Sequence, residues 1–110
     1  MYVGTTCSCK PPWASRPWGQ NSFTRKPSGI IGTSPGAIGT AVGQQHLKSI
    51  LSFCNSPMMN AIEAYIQVTP NLISDDGKVS VGATETFVRN YMTEFSNFIG
   101  RVLTAYPRTA

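Results

Sequence analysis

The sequence predicts an α/β fold with a parallel sheet, because segments typical of strands alternate with segments typical of helices. Two short runs rich in β-forming residues, 29–33 and 62–68, are each followed by a longer stretch with helical periodicity. Such alternation is typical of parallel strands joined by helices. A length of 110 residues allows one small domain, and a hydrophobic content of 41% excludes global disorder.

The first strand is predicted at 29–33, a short apolar run that is followed by turn residues. The next segment, 34–39, is expected to be a loop because it contains proline and two glycines. It leaves the carboxyl end of a strand and leads into a helix, which is where ligands bind in open α/β sheets. Gly36 and Gly39 would let the backbone approach a ligand, and amide groups at the helix start would favour an electron-rich ligand edge.

The same loop also has a simpler interpretation. It is not a Walker loop, since no Lys-Ser or Lys-Thr pair follows the glycines, and Gly36, Gly39 and Gly43 do not have dinucleotide-fingerprint spacing. A plain strand-to-helix connection, with glycines that serve only packing, therefore stays open as an alternative.

The first helix is predicted from Thr40, as the N-cap, to about residue 53 or 54, and Pro57 would prevent its continuation. Met58 and Met59 are expected to fill gaps in the core. The second strand, 62–68, alternates and is rich in β-formers. Spacing of three and four residues predicts the buried face of the helix: Leu47, Ile50, Leu51 and Cys54.

A second helix is predicted from Thr84, as its N-cap, to Ala105, with Glu85 in the first turn favouring the helix dipole. Between the second strand and this helix, Asp76-Gly77 predicts a tight turn. An apolar stripe at spacings of three and four defines the buried face of the helix: Phe87, Val88, Tyr91, Phe95, Phe98, Ile99, Val102 and Tyr106.

Residues 1–27 differ in composition from the rest of the chain. They hold the whole net charge of +4 and four of the eight prolines, whereas 28–110 is neutral. Proline disfavours helices and central strands, so we expect an irregular segment with a boundary near Pro27. Its aromatic and basic residues could stack on nucleic-acid bases, but a loosely packed terminus is the preferred interpretation, and no nucleic-acid partner is expected.

No other group of residues predicts a catalytic or metal site. The only histidine, His46, lies about 12 Å along the helix from Cys54, too far to activate a thiol. Cys7 and Cys9 lack the two-residue gap of typical zinc sites. Three cysteines, no signal-peptide pattern and no apolar run of roughly 18 residues predict a cytoplasmic chain with reduced thiols and no membrane span.

Several of these segments together carry a family resemblance. They are Trp13-Ala14-Ser15-Arg16-Pro17, Arg25-Lys26-Pro27, the run Ile31 to Gly39, the run Gln45 to Leu51, Met59-Asn60, Asp76-Gly77 and Phe98 to Val102. The chain resembles the C-terminal part of the NADPH-dependent FMN reductase family, which includes bacterial quinone and chromate reductases.

The resemblance implies a flavodoxin-like fold of three layers, a parallel five-stranded sheet between helices with FMN at the carboxyl ends of the strands. Residues 28–110 would form its C-terminal half, containing the last two strands and their helices. The loop after the first of these strands would contact the flavin, which assigns cofactor-binding roles to Thr33, Ser34, Pro35, Gly36 and Ala37.

The resemblance also implies an oxidoreductase. NAD(P)H would deliver hydride to FMN, and electrons would pass to a small-molecule acceptor such as a quinone, a free flavin or chromate. The cofactor would carry the reaction, which agrees with the lack of a predicted catalytic side chain. Members of the family are dimers or tetramers, and Gln45, His46 and Glu63 correspond to interface positions.

The sequence departs from the family in three ways. It contains neither the Gly-Ser-x-Arg-x-x-Ser loop that holds the FMN phosphate nor the Pro-Glu-Tyr-Asn loop that brackets the ring, and residues 1–12 do not resemble the family. We therefore expect a truncated domain. The alternative function is that of a non-catalytic remnant that serves at most as an oligomerisation module.

Overall fold

The computed structural model describes residues 16–107, which form two strands and two helices in alternation. The parallel α/β arrangement predicted from the sequence is confirmed, since β1 and β2 pair in parallel with Ile31 opposite Ala64 and Ser34 opposite Gln67. The carboxyl ends of both strands therefore lie at one edge of the sheet. In chain order the elements are β1 (Ile31–Ser34), α1 (Ala41–Phe53), β2 (Ala64–Gln67) and α2 (Gly82–Ala105).

The two helices cover opposite faces of this sheet. Ile31 packs with the core cluster that contains Tyr91 and Phe95 of α2. The next residue, Gly32, lies against Thr40 and Gln44 on the α1 side. Because consecutive residues of a strand face opposite sides, α1 and α2 form the two outer layers around the sheet.

The main core lies between the sheet and α2. Its buried members are Met59, Ala64, Tyr91 and Phe95. Tyr91 is 1% exposed, and its hydroxyl donates a hydrogen bond to the carbonyl oxygen of Ile30 at 2.9 Å. Burial raises the pKa of Tyr91 above its ordinary value. The hydroxyl therefore anchors α2 to the start of β1 as a neutral donor.

The predicted stripe of α2 agrees with the structure from Phe87, which packs against the core, to Val102, and it differs at Tyr106. Tyr91, Phe95 and Val102 are buried, whereas Tyr106 lies beyond the helix and is 46% exposed. The predicted N-cap at Thr84 is wrong, because the helix begins at Gly82 with Val81 as N-cap and no side-chain cap. The backbone supplies the start instead, since the Glu85 amide donates to the carbonyl of Val81 at 3.0 Å.

The buried face of α1 is only partly as predicted. Leu51 and Cys54 are buried, but Ile50 is 53% exposed. Gln44, which was not predicted to face the sheet, is buried at 4%. Successive helical residues are about 100° apart, so the rotation that turns Gln44 and Leu51 towards the sheet leaves Ile50 outside. Thr40 is the N-cap residue as predicted, although its side chain does not cap the backbone.

The turn predicted at Asp76-Gly77 is confirmed. The Gly77 amide donates to the carbonyl of Ser74 at 2.8 Å, and Ile73 and Val79 form an antiparallel bridge. Gly77 has a φ of 78°, the left-handed conformation that glycine adopts at low cost.

Residues 16–27 contain no helix or strand, which agrees with the irregular structure expected for that part of the N-terminal segment. Trp13, Cys7 and Cys9, on which other expectations were based, lie outside the described residues. Between residues 16 and 107, no helix is both long and apolar enough to cross a membrane.

Candidate functional site

The predicted binding residues lie where the two parallel strands end. Thr33 and Ser34 are the last residues of β1, and Pro35, Gly36 and Ala37 continue into the loop that leads to α1. All five are therefore brought together at the carboxyl edge of the sheet. Ser34 is half-buried and the other four are exposed, so the outer surface of this loop is open to a ligand.

Ser34 and Gly39 hold the loop in a compact shape. The Ser34 hydroxyl donates to the carbonyl of Gly39 at 2.6 Å, and the Gly39 amide donates to the carbonyl of Gly36 at 3.0 Å. Gly39 has a φ of 59°. A Cβ at this position would lie 3.1 to 3.2 Å from backbone atoms of Tyr65 and Ile66. The loop thus packs directly on β2, and a residue with a Cβ would be strained at this position by both the positive φ and the close contact.

Gln67, at the end of β2, joins the loop from the neighbouring strand. Its side-chain amide donates to the carbonyl of Pro35 at 3.1 Å, and the Val68 amide donates to the carbonyl of Ser34 at 2.8 Å. Sequence reasoning did not identify Gln67 as part of the site. The sequence did offer one indication. Gln67 lies at the carboxyl end of the second predicted strand, and in a parallel pair that end lies beside the loop that follows the first strand.

Gln44 is the second residue that sequence reasoning missed. Its side-chain amide donates to Thr40 Oγ1 at 2.9 Å and to the carbonyl of Ala64 at 2.8 Å. The spacing of positions 44, 47 and 51 follows the i, i+3, i+7 pattern of one helix face, and it indicates that Gln44 lies on the same face as Leu47 and Leu51. A polar residue on that face has to find hydrogen-bond partners.

The loop offers hydrogen-bond donors to a ligand. Within residues 16–107, the amide hydrogens of Gly36 and Ala37 have no acceptor. A Cβ at Gly36 would meet only Ser34 Oγ, at 3.6 Å, so the space in front of this backbone is open. These two amides can donate to the acceptor atoms of a ligand, and residues 33–37 include no side chain that is charged at neutral pH.

An open cleft of about 300 Å³ lies beside the loop, between β2 and the start of α2. Gln67 lines the cleft and also contacts Pro35. In the part of the chain that the structure describes, no three His, Cys, Asp or Glu side chains come together as metal ligands. The cleft is lined by Tyr65, Ile66, Gln67, Ala83, Thr84 and Phe87.

The three predicted interface residues lie on the α1 side of the sheet. Gln45 and His46 are exposed on α1, and Glu63 is exposed just before β2. Glu63 accepts hydrogen bonds from Lys48 at 2.8 Å and from the Tyr65 hydroxyl at 2.7 Å, and Gln45 donates to that hydroxyl at 3.1 Å. These four side chains form a polar cluster that ties α1 to β2.

We expect the polar cluster to give the fold an acid-sensitive contribution. Hydrogen bonds from Lys48 and Tyr65 lower the pKa of Glu63 below its ordinary value. A carboxyl whose pKa is lower in the folded state stabilises the fold above its unfolded pKa, and this contribution is lost as the pH falls through the folded pKa. The melting temperatures of wild type and Glu63→Gln are therefore expected to differ at pH 6 and to converge as the pH falls through the lowered pKa of Glu63. Asp76→Asn is the control on an exposed turn, and a difference that is constant down to pH 3 would contradict the assignment.

Comparison with known proteins places this geometry in a family. The model of a family described as NADPH-dependent FMN reductase matches residues 12–70. The 2-hydroxy-1,4-benzoquinone reductase of Burkholderia sp is 38% identical over 87 residues, which are 79% of this chain and 48% of that protein. A quinone reductase of Pseudomonas putida is 33% identical over 85 residues, covering 77% of this chain and 45% of the relative.

A solved structure gives the same result. The flavoenzyme NAD(P)H:(acceptor) oxidoreductase FerB from Paracoccus denitrificans superposes with a TM-score of 0.76 at 41% identity, over 82% of this chain and 50% of FerB. This likeness confirms the flavodoxin-like arrangement for the elements present. The chain spans about half the length of the relatives it matches. Because the matching family model spans β1, the loop, α1 and β2, the chain belongs to the NADPH-dependent FMN reductase family.

Proposed function

We propose that this chain provides the part of an NAD(P)H-dependent quinone reductase that contacts the flavin ring, with FMN as the cofactor. The observation that carries the proposal is the open loop at the carboxyl edge of the parallel strands, where the amide hydrogens of Gly36 and Ala37 find no acceptor among the described residues 16–107. The names of the aligned relatives, quinone reductases and a flavoenzyme oxidoreductase, support the reaction class.

The residues of the loop fit the ring of FMN. The pyrimidine edge of a flavin carries carbonyl oxygens, which accept hydrogen bonds, and the amides of Gly36 and Ala37 are donors. Pro35 has no amide hydrogen, and its carbonyl accepts the bond from Gln67. Thr33, exposed at the end of β1, completes the contact surface. Ser34 acts indirectly, because its hydroxyl is used to hold Gly39.

Bound FMN would supply the redox chemistry, taking hydride from NAD(P)H and passing electrons to the acceptor. The protein would bind and orient the ring and shield it from water. Quinones are the preferred acceptor class because two aligned relatives are named for them. Free flavins and metal oxyanions such as chromate are the further acceptors that the family resemblance suggests.

We test the proposal with a substitution that blocks the ring without disturbing the fold. In Gly36→Val, the new Cβ meets only Ser34 Oγ at 3.6 Å, so the melting temperature is expected to stay within about 4 °C of wild type. The side chain would occupy the space of the ring, and FMN affinity is expected to fall at least about tenfold, a difference of about 1.4 kcal/mol. The measurement is quenching of FMN fluorescence in a protein titration.

Gly100→Ala is the matched control, because a Cβ there meets nothing within 4 Å and lies on α2, away from the loop. Its FMN affinity is expected to equal that of wild type. If Gly36→Val binds FMN as wild type does, the loop is not the flavin site. If wild type binds no FMN at millimolar concentration and shows no NADPH-dependent quinone reduction, the non-catalytic alternative replaces the enzyme proposal for this chain.

We also propose that the chain self-associates through the outer face of α1, as a dimer or tetramer. Val42, Ile50 and Phe53 are 58%, 53% and 70% exposed. They share one face of the helix with the interface candidates Gln45 and His46, since these positions are separated by three, four and eight residues. A row of exposed apolar side chains with polar neighbours is typical of a protein–protein contact surface. Glu63 lies beside this face, in the polar cluster.

Ile50→Glu is expected to lower the oligomeric state, because a charge in the centre of this apolar row would lose water on association without gaining a partner. Sedimentation velocity at micromolar concentration measures the change. Ile73→Glu is the control, since Ile73 is 59% exposed in the turn region before α2. An unchanged sedimentation coefficient for Ile50→Glu, or a monomeric wild type, would contradict the proposal.

The cytoplasmic location, the boundary between 1–27 and 28–110, and the absence of a nucleic-acid partner stay predictions. The family model begins at residue 12 and therefore includes part of the N-terminal segment. Arg25 of that segment lies 5.3 Å from the ring centroid of Tyr106, which attaches it to the end of α2.

A further inference from the structure

Gln44 is a buried amide on a helix face whose other inward residues are apolar. Gln44 is 4% exposed, and its side chain lies between the α1 backbone and the sheet. Burying an amide costs free energy unless each polar atom finds a partner. A leucine could fill this position without the free-energy cost of burying polar atoms. The role of the amide is therefore to be found in the hydrogen bonds that it makes.

Both hydrogens of the Gln44 amide nitrogen are used, and they reach two different parts of the fold. One bond goes to Thr40 Oγ1, at the last residue of the loop, with a length of 2.9 Å. The other goes to the backbone carbonyl of Ala64, the first residue of β2, with a length of 2.8 Å. A primary amide has two donor hydrogens, so this nitrogen is fully occupied. Gln44 therefore fixes the end of the loop relative to β2.

The start of the loop is fixed by the same contact. A Cβ on Gly32 of β1 would overlap the Thr40 side chain and lie 3.1 Å from Gln44 Nε2. Thr40 and Gln44 thus pack directly on the backbone of β1, two residues before Ser34. The glycine at position 32 therefore allows α1 to approach β1 closely at this point.

We propose that Gln44 is the positioning residue of the candidate flavin loop, which holds residues 34–40 in the conformation that presents the Gly36 and Ala37 amides. The residue touches no ligand and acts through Thr40 and Ala64. The flavin part of the proposal rests on the proposed function, whereas the effect on the loop is independent of any ligand.

The test uses Gln44→Glu, which keeps the shape of the side chain and makes its donor capacity depend on pH. A protonated carboxyl can donate one hydrogen bond to the carbonyl of Ala64, whereas a carboxylate cannot donate and would face that oxygen. Burial raises the pKa of such a carboxyl. Lys48, one turn further on α1, and Glu63 and Tyr65 beside Ala64 are the titratable neighbours, and they are bound to each other. Gln44→Leu is the companion variant that has no donor at any pH.

The first readout is amide hydrogen exchange in the loop. The Gly39 and Ala41 amides, which donate within the loop, report on its order, and the amides in the middle of α2 are the internal reference. At pH 8 we expect protection of the loop in Gln44→Glu to fall at least about tenfold, with α2 unchanged, because the carboxylate donates neither of the two hydrogen bonds that the amide makes. At pH 5.5 protection should recover in part. Gln44→Leu should lose protection equally at both values.

The second readout is FMN affinity at the same two pH values, with Gln20→Glu as a control at an exposed position. Affinity in Gln44→Glu should follow the loop protection, and wild type and the control should show neither change. Equal protection of the loop in all variants would overturn the positioning role, as would a loss of protection that is the same in α2. If loop protection changes as expected but wild type binds no FMN, the positioning role stands and the proposed function fails.

Discussion

Tyr91→Ala is expected to cause a large loss of stability, because Tyr91 is the largest fully buried side chain among residues 16–107. The side chain is 1% exposed, and its ring packs with Met59, Ala64 and Phe95 in the main core. Removing a buried aromatic ring costs about 3–5 kcal/mol in other proteins. Domains of this size have a total free energy of unfolding of about 5–15 kcal/mol, so the variant should lose much or all of its cooperative unfolding transition.

A second variant, Tyr91→Phe, separates the ring from the hydroxyl. It keeps the packing and removes the hydrogen bond to the Ile30 carbonyl, and we expect it to cost about 1–2 kcal/mol. Tyr106→Ala is the control, because Tyr106 is 46% exposed and its ring contacts Arg25; a loss below about 1 kcal/mol is expected there. Urea unfolding followed by circular dichroism gives the three values. A neutral Tyr91→Ala would mean that α2 does not pack on β1 as described.

Gly39→Ala is expected to have the largest effect on the candidate site. Gly39 has a φ of 59°, a conformation that costs a residue with a Cβ about 1–2 kcal/mol. The Cβ would also press on the backbone of Tyr65 and Ile66 at 3.1 to 3.2 Å, and a backbone cannot move away as a side chain can. We expect a total loss of about 2–4 kcal/mol, together with loss of FMN binding, because the loop would be displaced from β2.

Gly77→Ala is the control that separates the backbone strain of a positive φ from the steric contact with β2. Gly77 also has a positive φ, 78°, but a Cβ there meets nothing within 4 Å. If the urea unfolding curves of the two variants have equal slopes, the difference between their midpoints gives the free energy that the close contact with β2 costs in Gly39→Ala. FMN titration should show a change for Gly39→Ala alone. Equal stability losses in both variants would contradict the direct packing of the loop on β2.

The elements of the fold could be predicted where local pattern and tertiary packing agree. The stripe of α2 is an example, because Tyr91 and Phe95 follow helical spacing and face the sheet. The buried face of α1 could not be predicted fully, because Ile50 and Gln44 cannot both face the sheet and hydrophobicity favours Ile50. The structure selects Gln44, since its amide has acceptors on Thr40 and Ala64 that no local pattern reveals.

The candidate site was predictable in its position and not in its contacts. Proline and glycine identify the loop from local sequence alone, so residues 33–37 lie where they were expected. The bond from Gln67 to Pro35 joins residues that are 32 apart, and it depends on the register of β1 and β2. The start of α2 was also predicted wrongly, because no capping side chain indicates it. Val81 precedes the helix, and backbone hydrogen bonds alone close the first turn.

The sheet of this chain has a property that side chains do not control. Helices cover both of its faces, while between residues 16 and 107 each strand pairs with only the other. The outer backbone groups of β1 and β2 can accept a further strand by the geometry of peptide hydrogen bonds, whatever side chains that strand carries. The shortness of the two strands limits such pairing, because four residues per strand allow few hydrogen bonds to an incoming chain.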